Sequence, residues 1–227
     1  MGINYSPKIV TDGLVLCLDA ANSLSYPGSG ATWFDLANNV EATLYNTPTY
    51  TETNAGSLSF DGLNENCRYS LALNKELTVI TWAKSNTENW YGTAGLGSCR
   101  SQNGYILHNN ENSKVVHWYV MDGAVSASYS YIGGYTLSNI QTPIMYSLTT
   151  NGTNEHKGYI NQNLIFTQPG AISRSDSPVS VQTNLASDFT NSRFNNITLY
   201  SHLIYNRALT PQQIQQNYLA TKGRFGL

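Results

Sequence analysis

The sequence predicts an all-β fold, two antiparallel sheets packed as a sandwich, with one short helix near the C-terminus. Short strand-forming runs recur along the chain, turn residues separate them, and no helical period interrupts them before residue 210. A length of 227 residues suits one such sandwich, which runs to roughly 200–250 residues. We therefore expect a single domain over 1–227, with a short docking tail at 223–227.

The strands are read in order. Residues 14–18 follow the turn Asp12-Gly13, and residues 57–60 end at Asp61-Gly62. Cys67, Tyr69, Leu71 and Leu73 alternate with polar neighbours, the mark of a half-buried strand. Residues 77–83 form the next run. Residues 105–107 and 115–120 flank the polar stretch 109–113, a hairpin with a longer loop. Residues 144–148 lead to the turn signal Asn151-Gly152. Tyr159-Ile160 and residues 164–166 are joined by Asn161-Gln162-Asn163, a tight hairpin. The last strand runs through 197–200 toward 203–205.

The helix has its own signals. Thr210 is a good N-cap, Pro211 suits the first helical position, and Gln213 closes a capping box. Ile214, Tyr218 and Leu219 supply an apolar stripe, and Gly223 is placed to end it. The tail Arg224, Phe225, Gly226 and Leu227 is too short to fold alone. It docks on the body or on a neighbouring subunit, or it frays.

Composition narrows the partners. Charged residues are only 11%, against roughly 25% in ordinary soluble domains, and the net charge is −2. No basic stripe exists to neutralise phosphates, so nucleic acid is not an expected partner. No apolar run reaches the roughly 18–20 residues that span a bilayer. The N-terminus lacks the charged lead and apolar core of a signal peptide, so synthesis and folding in the cytoplasm are expected. Cys17, Cys67 and Cys99 have no paired spacing, and the first two read as small buried hydrophobes. Asn4, Asn151 and Asn196 head N-x-S/T triplets and read as turn or strand chemistry.

Several segments together resemble one family. Gly13-Leu14-Val15-Leu16-Cys17-Leu18-Asp19, Trp33-Phe34-Asp35-Leu36, Ser57-Leu58-Ser59-Phe60-Asp61-Gly62 and the strand from Leu77 to Lys84 are similar, in order, to segments of the concanavalin A-like lectin/glucanase superfamily in its LamG-like branch. Tyr159-Ile160-Asn161 resembles its hairpin, with Gln162 where glycine is usual. Tyr205-Asn206-Arg207-Ala208-Leu209-Thr210 with Ile214 carries the most specific resemblance. The resemblance implies a jelly-roll topology. The opening segment Tyr26-Pro27-Gly28-Ser29-Gly30 with Trp33, Asp35 and Leu36, and the closing segment Asn217-Tyr218 with Ala220-Thr221-Lys222-Gly223-Arg224-Phe225-Gly226, also resemble stand-alone proteins of tailed phages. That implies a structural or decorating protein on a virion surface, in several copies or as a homo-oligomer beside other virion proteins. A receptor-recognition protein for host surface glycans is the alternative.

Catalysis is not expected. Hydrolases of the superfamily carry paired carboxylates on one strand, and no Glu-x-Asp occurs here. Cys99 has no local signature pairing it with His108, His117, His156 or His202, and the histidines lack metal-ligand spacing. His117, between Val116 and Trp118, reads as a satisfied strand histidine. No cofactor is expected apart from Ca2+, for which Asp61, Asn64, Glu65 and Asn66 could offer several oxygens from one loop. A polar turn would use the same residues.

Two stretches combine aromatic rings with polar groups as sugar sites do. One holds Trp90 and Tyr91 in a loop after a strand. The other holds Tyr129, Tyr131 and Tyr135 beside Gly133 and Gly134. A packed strand or a subunit contact would carry the same residues. Trp33, Trp82 and Trp118 read as core. The near-neutral surface and the tail of Arg224, Phe225 and Leu227 suit assembly.

Overall fold

The computed structural model describes residues 7–53, 55–90, 95–122 and 129–227. Strands numbered in chain order form two antiparallel sheets of eight. The first contains β1 (Leu14–Asp19), β4 (Thr49–Thr51), β5 (Ser57–Asp61), β7 (Leu77–Ser85), β12 (Ile144–Thr150), β13 (Glu155–Ile160), β14 (Asn163–Pro169) and β16 (Asn196–Tyr205). The second contains β2 (Thr32–Phe34), β3 (Glu41–Tyr45), β6 (Asn66–Leu73), β8 (Gly95–Cys99), β9 (Tyr105–Asn109), β10 (Val115–Met121), β11 (Tyr129–Thr136) and β15 (Val179–Leu185). The predicted all-β sandwich with one short C-terminal helix is the observed architecture.

The sheets differ in what covers them. β7 and β12 are buried almost throughout, and β16 nearly so, because both of their faces are packed. Their inner face joins the main core with Trp33, Phe60, Tyr105 and Trp118. Their outer face forms a second core of Ile80, Trp82, Met145, Tyr200 and Tyr205, roofed by helix α1 (Pro211–Thr221). Strands β9 and β10 instead alternate buried and half-buried residues, so one face meets the core and the other meets solvent. The first sheet is therefore the covered sheet and the second the open one.

Helix α1 begins as its sequence dictates. The Thr210 side chain accepts from Gln213 N, and the Gln213 side chain accepts from Thr210 N. Its end corrects the sequence reading: Gly223 lies inside a 3-10 turn, Lys222–Phe225, and the left-handed stop is Gly226 at φ 71°. That extra turn places Phe225 against Trp82, ring centroids 4.4 Å apart, and against Tyr200 at 4.9 Å. The Arg224 guanidinium pairs with Asp19 at 2.9 Å. Arg224 and Phe225 thus dock on the protein's own body, one of the three outcomes open to the tail from its sequence. Leu227 remains half exposed.

The tight hairpin between β13 and β14 tolerates Gln162 because Asn161 takes the left-handed position, φ 57°. The Asn161 side-chain oxygen also accepts from Met145 N at 3.0 Å, fastening the turn to β12.

A buried polar bridge ties the sheets together. His202 on β16 accepts or donates at Nε2 to the hydroxyls of Tyr69 (2.8 Å) and Tyr105 (3.1 Å) on the open sheet. Its Nδ1 meets the Thr81 hydroxyl on β7 at 2.8 Å. Gly97 gives this bridge room, since a Cβ there would lie 3.2 Å from the Tyr105 hydroxyl and 3.3 Å from the His202 ring.

Candidate functional site

The open sheet's outer face builds a groove from its register. His108 on β9 opposes His117 on β10, and Ile106 opposes Tyr119, which in turn opposes Tyr131 on β11. Paired residues share a face, so these side chains form adjacent rungs pointing outward. The rings stack. His108 lies 5.4 Å from His117 and 5.2 Å from Tyr119, both near parallel, while Tyr131 tilts over His117 and Tyr119. Tyr129 meets Tyr119 edge-on at 5.2 Å.

A loop after β15 raises one wall. Asn184 donates from its amide to the Asp188 carbonyl at 2.7 Å and so fastens residues 188–193 onto the sheet. Within the loop, Asp188 accepts from the Thr190 hydroxyl, the Ser192 backbone and hydroxyl, and the Arg193 backbone. Burial alone would raise the Asp188 carboxyl, but these donors outweigh it and hold the group below its ordinary value. Arg100 lies over Tyr129 at 5.3 Å and over Phe189 at 4.8 Å, joining the two walls.

The resulting groove has a volume of about 460 Å³. Ser98, Ile106, His108 and Tyr119 form its floor, with Arg100, Tyr129, Phe189 and Arg193 around it. His108 on the floor and His117 stacked beside it stay neutral near pH 7. Burial lowers His108 and His117, and the charge of Arg193 lowers His108 further. His108 Nδ1 lies 2.9 Å from the Asn109 carbonyl, so Nδ1 carries the hydrogen and Nε2 is left as an acceptor. A face of flat rings edged by cations and hydroxyls can stack on a sugar ring and bond its hydroxyls.

The predicted residues fare differently. Tyr129 and Tyr131 are about half exposed and belong to the groove face, so they are not core. Tyr135 is separated from them, because a bulge opposite Trp118/Tyr119 leaves it paired with the inward Val116. Gly133 serves packing rather than adaptability: a Cβ there would meet the Phe166 ring at 2.7 Å. Trp90 is 1% exposed and packs toward Tyr146, which rules it out as a stacking platform in this conformation. Tyr91 lies outside the described residues. His117 corrects its reading too: neither ring nitrogen has a hydrogen-bond partner among the described residues, and its ring is held by stacking.

The acidic loop behaves as a turn. Asp61 accepts from Leu63 N at 2.8 Å, and Glu65 accepts from Asp61 N at 2.8 Å, while Asn64 contributes its carbonyl to the Asn46 amide. Among the described residues no three His, Cys, Asp or Glu side chains gather in one place. All three thiols are free and buried, and burial pushes Cys99 up to about 11, where it stays protonated at neutral pH.

The apolar residues Tyr105, Leu107, Val116, Trp118 and Val120 alternate with His108 and His117, a signal that places both histidines outward once the strand is extended past 107. Arg100, Asp188, Phe189 and Arg193 gave no such signal, because only the folded loop brings them to that face.

No family model matches the chain, and no curated protein does. Solved structures do. The crystal structure of botulinum neurotoxin serotype D binding domain superposes with a TM-score of 0.69 at 14% identity, covering 93% of this chain and 53% of that one. That ligand binding domain in complex with N-acetylneuraminic acid gives a TM-score of 0.66 at 16% identity, covering 93% and 52%. Trypanosoma rangeli sialidase gives 0.64 at 16% identity, covering 93% and 33%. The chain thus spans about half of the toxin domain and a third of the sialidase. At these identities the likeness establishes the fold alone, a two-sheet β-sandwich.

Proposed function

We propose that this chain is a non-catalytic glycan-recognition module that holds sugar in the groove of its open sheet. The observation that carries the reading is the asymmetry of the two sheets. One outer face is roofed by α1, while the other presents stacked rings beside two arginines. The toxin binding domain crystallised with N-acetylneuraminic acid has a similar fold, which supports the reading.

The non-catalytic part rests on the groove's acids. Sugar hydrolysis by a carboxylate pair needs two groups, roughly 5 Å apart for retention and up to about 9.5 Å for inversion. Asp188 is the one carboxylate in the groove lining among the described residues, and its oxygens are taken by its own loop. The sequence places no Asp or Glu at 91–94 or 123–128.

The setting we propose is the surface of a phage particle, with several copies engaging host glycans; the resemblance of the opening and closing segments supports it. A purely architectural role has less support now that Arg224 and Phe225 are docked on the chain itself.

A glycan array tests the reading. We expect hits, and we expect the Tyr129→Ala/Phe189→Ala double variant to bind the best hit at least ~30-fold more weakly, since two stacking rings contribute about 2–3 kcal/mol together. Neither side chain belongs to the main core, so the variant should melt with the parent. An array without hits, an unchanged affinity, or release of reducing sugar from a bound glycan would overturn the proposal.

A further inference from the structure

A second station lies on the same face. On β3 and β6 the Arg68 guanidinium sits 4.1 Å above the Tyr45 ring, beside a depression of about 350 Å³ edged by Thr43, Ser70 and Gln182. Tyr45 is 39% exposed, so the ring and cation are accessible together. The pair repeats the chemistry of Arg100 over Tyr129 at the groove.

The sheet register joins the two stations. From Arg68 through Asn184, Ser98 and Ile106 to Tyr119, each residue opposes the next on the adjacent strand. Four strand spacings separate Arg68 from Tyr119, a span of about 19 Å or about four linked pyranose rings. The loop that crosses this line over Asn184 carries Arg193, which is exposed and lines the groove. Arg68, Arg193 and Arg100 therefore mark one path across a chain whose net charge is −2 and which has only 12 Lys and Arg in all. Among the described residues that line the groove and the depression, two are carboxylates. Asp188 is engaged by its loop, and Glu41 lies at the outer end of the depression.

Resting on the glycan-binding reading, we infer that the ligand is an acidic oligosaccharide laid across the strands, its far end held at the Arg68–Tyr45 station. Flat rings flanked by cations at both ends of one rung complement a sugar chain that bears carboxylates. A neutral chain would leave Arg68 and Arg193, which form no ion pair among the described residues, without anionic partners.

The test titrates the whole chain with dimers and hexamers of two acidic series, galacturonic acid and α2,8-linked sialic acid, with methyl-esterified hexamers as uncharged controls. At least one acidic hexamer should bind ~10-fold or more tightly than its dimer and than its ester, because the second station acts at high effective concentration. Arg68→Gln should bring that hexamer to the dimer's affinity and leave the dimer unchanged. Added salt should weaken the hexamer more than the dimer. Equal affinities for dimer and hexamer, an ester that binds as well as the acid, or an Arg68→Gln effect equal on both lengths would each overturn the inference. Neutral array hits lost on groove substitution would leave the glycan-binding reading standing while this inference falls.

Discussion

Replacing His202 with leucine is expected to destabilise the protein by about 3–5 kcal/mol at pH 7, because buried donors and acceptors on both sheets lose their partner at once. Tyr69, Tyr105 and Thr81 all converge on this imidazole, and no part of it reaches solvent. The same group sets the acid sensitivity of the fold. Burial pushes His202 down to about 3, against an ordinary value of 6.5. Between those values the unfolded chain binds a proton that the folded chain refuses. Stability is therefore complete above pH 6.5 and falls as pH drops toward 3, by about 1.4 kcal/mol per unit. His108, His117 and His156 are also lowered by burial and act in the same direction. Urea unfolding at pH 7 and pH 4 should show the His202→Leu variant weaker at pH 7 but losing about 3 kcal/mol less than the parent on acidification. Parallel losses in the two proteins would refute the neutral buried imidazole.

Removing residues 224–227 is the second large effect. Phe225 lies on Trp82 and Tyr200, and Trp82 also donates from its indole nitrogen to Thr221 at 2.9 Å. Truncation would uncover apolar surface of two rings that are now 1% and 3% exposed, and would leave Asp19 without its guanidinium. The loss of packing should amount to about 2–4 kcal/mol, most of it from the Phe225 ring. A fall in Tm of about 6–12 °C follows for a chain of this size. An unchanged melting curve would mean that the tail does not dock on its own body and is free for a partner. Phe225→Ala separates the two contributions, since it keeps the Arg224–Asp19 pair.

Much of the framework was legible in the sequence because its signals are local. The alternation of Cys67, Tyr69, Leu71 and Leu73 marks a strand with one face inward, and β6 is that strand. The capping box at Thr210 depends on four consecutive residues and formed as read. Other elements were lost where tertiary demands override propensity. β8 reads Gly-Leu-Gly-Ser-Cys, poor in strand formers, because Gly97 must clear His202 and Tyr105. β3 and β15 do alternate, yet with polar outward residues Glu41, Thr43, Ser180 and Gln182 they do not stand out as apolar runs and are absent from the strands read above.

The site was legible only in part. Tyr129 and Tyr131 were visible as a pair two residues apart. Trp90 misled, because an aromatic in a polar loop looks the same whether it turns outward to a ligand or inward to Tyr146. The wall of Asp188, Phe189 and Arg193 is fastened by the Asn184 amide, four residues before Asp188, and by bonds from Gly95 and Ser98 to the Ser187 carbonyl, and these polar contacts leave no apolar pattern along the chain.

The most direct test of the account is a map of backbone amide shifts in the labelled protein as a bound glycan is titrated in. The largest shifts should fall on Ser98, Ile106, His108, Tyr119 and the 188–193 loop. Shifts gathered instead on the roof around α1, or at the 61–65 turn, would contradict it.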